Sequence, residues 1–345
     1  MPLHQFEPPR GRIETLGIES DALRGNLFGD PPHRDVAVYL PEGYDSSDAD
    51  YPLFVHLAGY LGSGLRQVGW RTFGPNLPQR LDRLVAAGSI GPVVAALPDC
   101  ATSLGGNQYV DSPATGAWER FVLDELLPRL EQRFRIRRGG RHRAILGKSS
   151  GGYGALVHGM RHGERWGAVA AHSADAGFET VYARDFPRLL DELARHDGGP
   201  AGFVEHLRRA DAIGRDESHA LMLLCMAASY DPDPTAPLGI RLPVDPHTCE
   251  IEPERWARWL EHDPVRMIEE RACQESLRRL GGLYLDCGRQ DEYGLHFGLR
   301  ALARRLERFG IPHRYEEFAG GHSDVDRRLD VSLPFLYAAV TRGSR

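Results

Sequence analysis

The stretch "RAILGKSSGGYGALVHGMRHG", residues 143–163, decides the fold of this protein. Residues 143–146 are typical of a short buried strand, and the residues from 150 onward can begin a helix directly after it. The turn between them, GKSSG (residues 147–151), has two interpretations that exclude each other. Its first three residues look like the end of a phosphate-binding loop, whereas all five match the G-x-S-x-G turn that presents a nucleophilic serine.

Spacing excludes the phosphate-binding interpretation. A loop of that kind needs a first glycine five residues before the glycine of the Gly-Lys-Ser triplet, so that its backbone N–H groups can surround the phosphates. The residue five positions before Gly147 is His142. The two glycines that do precede the triplet, Gly139 and Gly140, stand before the predicted strand and out of register.

The nucleophilic-serine interpretation agrees with the spacing. A serine on a sharp strand-to-helix turn takes strained backbone dihedrals, and the residues two before and two after it approach so closely that both must be glycine. Gly147 and Gly151 occupy these positions around Ser149. Ser150 does not qualify, because the residue two before it is Lys148. The sequence therefore predicts Ser149 as a nucleophile.

A serine hydroxyl needs a base to take its proton, and after this kind of turn the acid precedes the histidine along the chain. His322 follows the short predicted strand 313–318 and a Gly-Gly turn, which puts it on a loop at a strand's carboxyl end. Of the acids before it, Asp286 lies within a predicted strand, so we expect a structural role for it. Asp291 stands on the following loop, and we prefer it to Glu292 as the carboxylate that orients the imidazole.

The oxyanion that forms during acyl transfer needs hydrogen-bond donors aimed at it. We expect one donor to be the backbone N–H of Ser150, the residue after the nucleophile. The second comes from a loop after an early strand in proteins with this turn, and Tyr60 in the segment 54–64 is our candidate. A plain glycine-rich turn is the alternative for this loop.

Three further residues are candidates for a substrate pocket. Lys148, beside the nucleophile, could hold an anionic substrate or pair with a nearby carboxylate. His172 and Asp175 end the next predicted strand at the edge where open α/β sheets bind ligands. They could line the pocket or make structural hydrogen bonds.

The rest of the chain alternates short apolar runs with segments of helical period, which predicts an α/β fold with a mostly parallel sheet covered by helices on both faces. Predicted strands are 35–40, 52–59, 92–99, 143–149, 167–174 and 282–288, and predicted helices include 118–134 and 295–309. Residues 175–280 carry only helical patterns, and we interpret them as a helical cap inserted into the core rather than a separate helical domain. The predicted segments are 1–34 (N-terminal extension and first strand), 35–174 (first part of the core), 175–280 (cap) and 281–345 (second part of the core).

Composition limits the partners of the protein. The chain has 345 residues, a net charge of −6 and a pI near 6.2, which argues against a nucleic-acid partner. Five cysteines without a C-x-x-C pair indicate reduced thiols with no disulfide frame and no zinc site. The longest apolar run, 220–228, is about half of the ~20 residues that a membrane span needs. The N-terminus has no apolar signal core, so we expect a cytoplasmic protein without a membrane partner.

The motifs at 147–156, 287–295 and 320–325 together resemble the esterase D family of α/β-hydrolases, and the enterochelin-esterase-like branch is the most similar within it. Residues 106–128 and 28–45 resemble the same branch, so the likeness covers roughly 15–175 and 280–340. The resemblance implies an α/β-hydrolase with serine-esterase chemistry and no metal or organic cofactor. Carried over by motif, it implies the triad Ser149, Asp291 and His322, with Tyr60 as the first-loop donor.

We therefore predict a serine esterase that hydrolyses a small to medium-sized carboxylic ester through an acyl-enzyme. The alternatives are an acyltransferase with the same triad, a peptidase, or a non-catalytic binding protein on a hydrolase scaffold. The expected partner is a small-molecule ester, and a homo-oligomer is possible.

Overall fold

The computed structural model describes residues 4–342. The outermost residues of the two predicted end segments, 1–3 of the segment 1–34 and 343–345 of the segment 281–345, lie outside the described part. All five cysteines are free thiols.

An eight-stranded sheet forms the centre of the molecule, in the order β1-β2-β4-β3-β7-β8-β9-β10. The pairs β1–β2 and β2–β4 are antiparallel, and every later pair is parallel. Strands β5 and β6, which lie between β4 and β7 in the chain, form a separate two-stranded antiparallel hairpin. The strands are β1 (Arg12–Glu19), β2 (His33–Leu40), β3 (Leu53–Leu57), β4 (Val94–Pro98), β5 (Asp111–Ser112), β6 (Gly116–Ala117), β7 (Arg143–Lys148), β8 (Ala168–His172), β9 (Gly282–Gly288) and β10 (Arg314–Phe318).

Helices connect the strands. Within the described residues they are α1 (Gly64–Val68), α2 (Leu77–Ala86), α3 (Trp118–Arg120), α4 (Leu127–Arg133), α5 (Ser150–Arg161), α6 (Phe178–Val181), α7 (Phe186–Leu193), α8 (Gly199–Arg209), α9 (Arg215–Tyr230), α10 (Pro253–Glu261), α11 (Pro264–Met267), α12 (Arg271–Arg278), α13 (Leu295–Arg308) and α14 (Leu329–Thr341).

Alternate residues of the buried strands pack against helices on opposite faces of the sheet, because successive side chains of a strand point in opposite directions. On one face, Phe54 of β3 and Leu146 of β7 share a core with residues of α2 and α14. On the other face, Val55 and Ile145 pack in the larger core that contains α5. Burial of both faces explains why these strands read as continuous apolar runs. The predicted fold, a mostly parallel sheet with helices on both faces, is confirmed.

The helix predicted at 118–134 has an irregular middle. Residues Phe121–Leu126 form a π-helix between α3 and α4. Pro128, which has no N–H to donate to a carbonyl in the preceding turn, stands at the start of α4. The apolar stripe is kept, since Trp118, Val122 and Leu130 are all buried.

The named elements between β8 and β9 are all helices, α6 to α12. Aromatic side chains of this segment are buried and contact one another in edge-to-face or tilted pairs: Tyr182, Phe186, Tyr230, Trp256 and Trp259. The last helix, α12, packs directly on α5 of the core, where Ser276 Oγ donates to the carbonyl of Gly159 at 2.8 Å. The segment 175–280 therefore contacts the core through its last helix, and its role as a cap stays a prediction.

Candidate active site

The turn between β7 and α5 has the geometry that its glycines require. Ser149 has φ 56° and ψ −127°, a left-handed conformation that is rare for any residue but glycine. A Cβ at Gly147 would overlap the backbone of Gly151, and a Cβ at Gly151 would overlap the carbonyl of Leu57. The Ser149 N–H donates to the His172 carbonyl at 2.9 Å, which fixes the turn to the neighbouring strand β8. The strained serine is therefore held by its surroundings.

A histidine and a carboxylate meet at the same edge of the sheet. Asp291 follows β9 and His322 follows β10, so both lie past the carboxyl ends of parallel strands, as Ser149 does. His322 Nδ1 and Asp291 Oδ2 are 2.8 Å apart, and the Asp291 side chain is 0% exposed. Burial by itself would raise the pKa of Asp291, but the hydrogen bond and the charge of His322 outweigh it and hold this pKa below its usual range. Asp291 is thus an ionised acceptor for the imidazole.

Glu292, the alternative acid, has a different contact. Its Oε2 accepts a hydrogen bond from the backbone N–H of His322 at 2.8 Å. The ring of Tyr293 packs edge-on against the His322 ring, with centroids 4.9 Å apart. Two neighbouring carboxylates therefore hold His322 by different atoms, one by the ring and one by the backbone.

A cavity of about 960 Å³ opens over this edge, and both Ser149 and His322 line it. The Ser149 hydroxyl makes no hydrogen bond to the His322 ring within the described residues. In free enzymes such bonds are often long and shorten only when substrate is bound. The arrangement contains a serine on a strained turn, an imidazole that opens into the same cavity, and a buried carboxylate behind the imidazole. Acyl transfer by a serine requires these three parts.

The loop after β3 lies against the turn of residues 147–151, called the nucleophile turn after the role predicted for Ser149. A Cβ at Gly59 would lie 2.9 Å from the Lys148 carbonyl and 3.5 Å from Ser149 Cβ, so the loop passes directly beside the serine. The next residue, Tyr60, donates its hydroxyl to the Leu104 carbonyl at 2.8 Å, which anchors the loop. Ser150 is the first residue of α5, so its N–H has no carbonyl one turn earlier in the helix. The two candidate oxyanion donors are thus Ser150, directly after Ser149, and Tyr60, directly after the glycine that lies against Ser149.

A buried chain of polar side chains, which the sequence analysis missed, leads to the nucleophile turn. Gln108 Nε2 donates to Ser150 Oγ at 2.8 Å, and Gln108 Oε1 accepts from the Tyr230 hydroxyl at 3.1 Å. The hydroxyls of Tyr230 and Tyr182 are 3.5 Å apart, and Tyr182 donates to Asp175 Oδ2 at 3.0 Å. The only signal for Gln108 was its place in the segment 106–128, which entered through the resemblance alone.

The three candidate pocket residues have different positions. Lys148 and Asp175 line the cavity. His172 does not line it, so of its two alternatives the pocket role is wrong and the structural hydrogen bonds are present. Its Nδ1 is 2.7 Å from Asp286 Oδ1 and its Nε2 is 2.9 Å from Ser332 Oγ, so both ring nitrogens are occupied inside the core. Asp286 also accepts from Arg328, which gives it the structural role predicted for it.

Asp175 is a buried carboxyl with an unusual pKa. Burial raises its pKa to about 6, although the hydrogen bond from Tyr182 and the nearby His322 act in the opposite direction. Within residues 4–342, no group of three or more His, Cys, Asp or Glu side chains is arranged to hold a metal ion. Among the same residues, no helix has the length and apolarity needed to cross a membrane.

The chain is similar to known esterases. A family model described as "Putative esterase" matches residues 31–330. Esterase MT1326 of Mycobacterium tuberculosis (strain CDC 1551 / Oshkosh) and Esterase Rv1288 of strain ATCC 25618 / H37Rv are each 30% identical over 304 residues. The match covers 83% of this chain and 52% of each relative. The chain thus spans about half the length of the curated relatives it matches.

Solved structures support the fold. A ferulic acid esterase superposes with a TM-score of 0.63 at 20% identity, covering 96% of this chain and 99% of that one. The S-formylglutathione hydrolase FrmB of Staphylococcus aureus superposes with a TM-score of 0.56 at 14% identity, covering 95% and 99%. At such identities the likeness shows the fold alone, which is that of α/β-hydrolases. Because the family model spans most of the chain, the protein belongs to this esterase family.

Proposed function

We propose that the protein is a serine esterase that hydrolyses a small to medium-sized carboxylic ester with Ser149, His322 and Asp291 as its catalytic triad. The observation that carries the proposal is the 2.8 Å contact between His322 and the buried Asp291, beside a cavity that Ser149 also lines. Membership of the esterase family supports the reaction type.

The first step forms an acyl-enzyme. Ser149 Oγ attacks the ester carbonyl carbon while its proton passes to His322 Nε2. Asp291 accepts the hydrogen bond from Nδ1–H, which fixes the tautomer and stabilises the imidazolium. The N–H groups of Ser150 and Tyr60 donate to the oxyanion. When the carbon–oxygen bond breaks, His322 gives its proton to the leaving alcohol.

In the second step, water replaces the serine as the nucleophile, and Ser149 becomes the leaving group. A water molecule attacks the acyl carbon, and its proton passes to His322. The tetrahedral intermediate uses the same two N–H donors. Breakdown returns the proton from His322 to Ser149 Oγ and releases the carboxylic acid. No group other than these side chains, the two N–H groups and water is required.

Two finer assignments belong with this proposal. The motifs at 147–156, 287–295 and 320–325 support membership of the enterochelin-esterase-like branch. A small-molecule ester as partner fits a cavity of about 960 Å³. The cytoplasmic location stays a prediction from the sequence.

A fluorophosphonate probe tests the nucleophile, because it forms a covalent adduct only with an activated serine. We expect mass spectrometry to find the adduct on Ser149. Ser149→Ala should lose the labelling and Ser150→Ala, the matched control on the neighbouring serine, should keep it. If correctly folded protein takes up no probe, the proposal fails and a binding protein on a hydrolase scaffold is favoured. Release of p-nitrophenol with and without an added alcohol then separates a hydrolase from an acyltransferase.

A further inference from the structure

Lys148 is the only lysine of the chain, in which Lys and Arg together number 42. Because every other basic residue among these 42 is arginine, the position of the single lysine is informative. It is the last residue of β7, directly before Ser149, and it lines the cavity. Its side chain is half-buried, and burial lowers its pKa below the usual value despite the acids nearby.

The acids around Lys148 are already engaged. Asp326 forms an ion pair with Arg71, Asp291 binds the His322 ring, and Asp324 accepts from the Gly321 backbone N–H. The Lys148 ammonium group makes no hydrogen bond and no ion pair within 4 Å to any residue among 4–342. Of the two alternatives for Lys148, a direct ion pair with a carboxylate is absent among these residues, although the charges of Asp326, Asp291 and Asp324 act on it. A half-buried ammonium group without a partner is costly, because the protein does not replace the water that the group loses.

The cavity has the opposite charge balance to the chain as a whole. The chain carries 42 basic and 48 acidic residues. The cavity lining has more basic than acidic side chains: Arg66, Arg71, Lys148, Arg184, Arg188 and Arg215 against Asp175, Asp185, Glu292 and Asp326.

Arg215 adds a second unpartnered cation. Its exposed side chain lines the cavity and makes no ion pair or hydrogen bond with any described residue. It is the first residue of α9, where a positive charge is unfavourable because the helix dipole already makes that end positive. Its place there is not explained by helix stability.

We propose that the cavity selects esters that carry a carboxylate, and that Lys148 binds this carboxylate beside the scissile bond while Arg215 adds positive potential at the cavity rim. The inference rests on the proposed esterase function and names its substrate class. A carboxylate from the substrate gives the ammonium group the partner that the chain does not supply. A charge-assisted hydrogen bond of this kind is among the stronger polar contacts in proteins. Desolvation in a closed complex strengthens it further.

A matched pair of esters tests selectivity on the acyl side. Mono-p-nitrophenyl glutarate and p-nitrophenyl pentanoate have the same leaving group and nearly the same chain length, but only the first ends in a carboxylate. We expect kcat/KM, corrected for spontaneous hydrolysis, to be roughly 10-fold higher for the glutarate. Lys148→Met should remove this preference, whereas Lys148→Arg should keep part of it. Arg209→Gln, which removes an exposed cation paired with Glu205 outside the cavity, should leave it unchanged.

A second pair tests the alcohol side. Phenyl acetate and 3-carboxyphenyl acetate differ in leaving group. The quantity compared is therefore the ratio of kcat/KM for the carboxylate-bearing ester to kcat/KM for the neutral ester, and the change that Lys148→Met makes in it. A fall in this ratio for the acyl pair or for the alcohol pair supports the inference. It is overturned if Lys148→Met leaves the ratio unchanged for both pairs.

Chemical modification gives a readout that needs no hydrolysis. An amine-acylating reagent can modify only one lysine, so the Lys148 peptide reports on access to this amine. In Ser149→Ala protein, we expect glutarate to protect Lys148 from acylation and the neutral pentanamide not to protect it. Absence of protection counts against the inference. If Ser149→Ala shows protection but the wild-type protein has no esterase activity, only the proposed function is overturned. If the wild-type protein hydrolyses the pentanoate ester but there is neither protection nor preference for the glutarate ester, only this inference is overturned.

Discussion

The contact between His322 and Asp291 gives a quantitative prediction. Asp291→Asn removes one negative charge and keeps the size of the side chain. The ring nitrogen and the carboxylate oxygen are 2.8 Å apart, and the Asp291 side chain is 0% exposed, so solvent screens the pair little. In the proposed mechanism, the carboxylate stabilises the ring most in the transition state, when His322 carries the extra proton.

The size of the effect follows from the geometry. The centres of the two charges are about 4 Å apart when the ring is protonated, and at an effective dielectric constant of about 20 their attraction is about 4 kcal/mol. Loss of this attraction from the transition state corresponds to roughly a 10³-fold lower kcat/KM. We expect most of the loss in kcat, because the charge pair exists only after proton transfer has begun.

Glu292→Gln is the matched control. The neighbouring carboxylate accepts from the His322 backbone N–H, and a glutamine oxygen can accept the same bond. We expect kcat/KM to fall less than about 10-fold, the range of one weakened hydrogen bond. The assay is hydrolysis of p-nitrophenyl butyrate, with far-UV circular dichroism to check folding.

Two results would refute the reasoning. One is an Asp291→Asn enzyme that folds and keeps activity within 10-fold of the wild type. The other is a Glu292→Gln enzyme that loses as much activity as Asp291→Asn, which would mean that the ring contact has no special role.

Three further predictions concern stability and positioning. Gly147→Ala should lower the free energy of unfolding by about 3 kcal/mol or more, because the new Cβ overlaps the backbone of α5. Denaturant unfolding measures this change. The control Gly69→Ala, where a Cβ has room, should change the free energy of unfolding little. Burial raises the folded-state pKa of Asp175 to about 6, above an unfolded value of about 4, so its contribution to stability is complete below pH 4 and is lost as the pH rises through 6. The stability of Asp175→Asn relative to wild type should therefore increase between pH 4 and 6 by about 3 kcal/mol, and a flat difference would contradict the assignment. Gln108→Leu should lower kcat roughly 10-fold with little change in KM, because the buried amide positions the residue whose N–H we assign to the oxyanion; an unchanged kcat would count against that role.

The sequence was most informative where structure depends on neighbouring residues. The apolar runs predicted the core strands, because a strand buried on both faces has no polar positions. The prediction of Ser149 on a strained turn, as the structure has it, depended on two glycines within five residues. Such steric requirements act between residues that are close in sequence, so the spacing of these residues is enough to predict them.

Other features depended on contacts between distant segments. Asp291 and Glu292 are adjacent and chemically alike, so only the packing of β9 against β10 decides which carboxylate meets the ring and which meets the backbone. His172 has the residue type and strand position of a pocket residue, yet Asp286 and Ser332, more than 100 residues away in sequence, hold it inside the core.

The sequence by itself thus determined the sheet, the strained turn and the choice of a small set of chemically suitable side chains. Only the tertiary structure decided which of them meet. It also decided that no described carboxylate forms an ion pair with Lys148, and that Gln108 contacts the nucleophile turn. The physical reason is that backbone sterics and apolar periodicity are local properties, whereas a hydrogen bond between residues far apart in sequence depends on how whole elements pack, and orientation changes of a fraction of an ångström decide whether it forms.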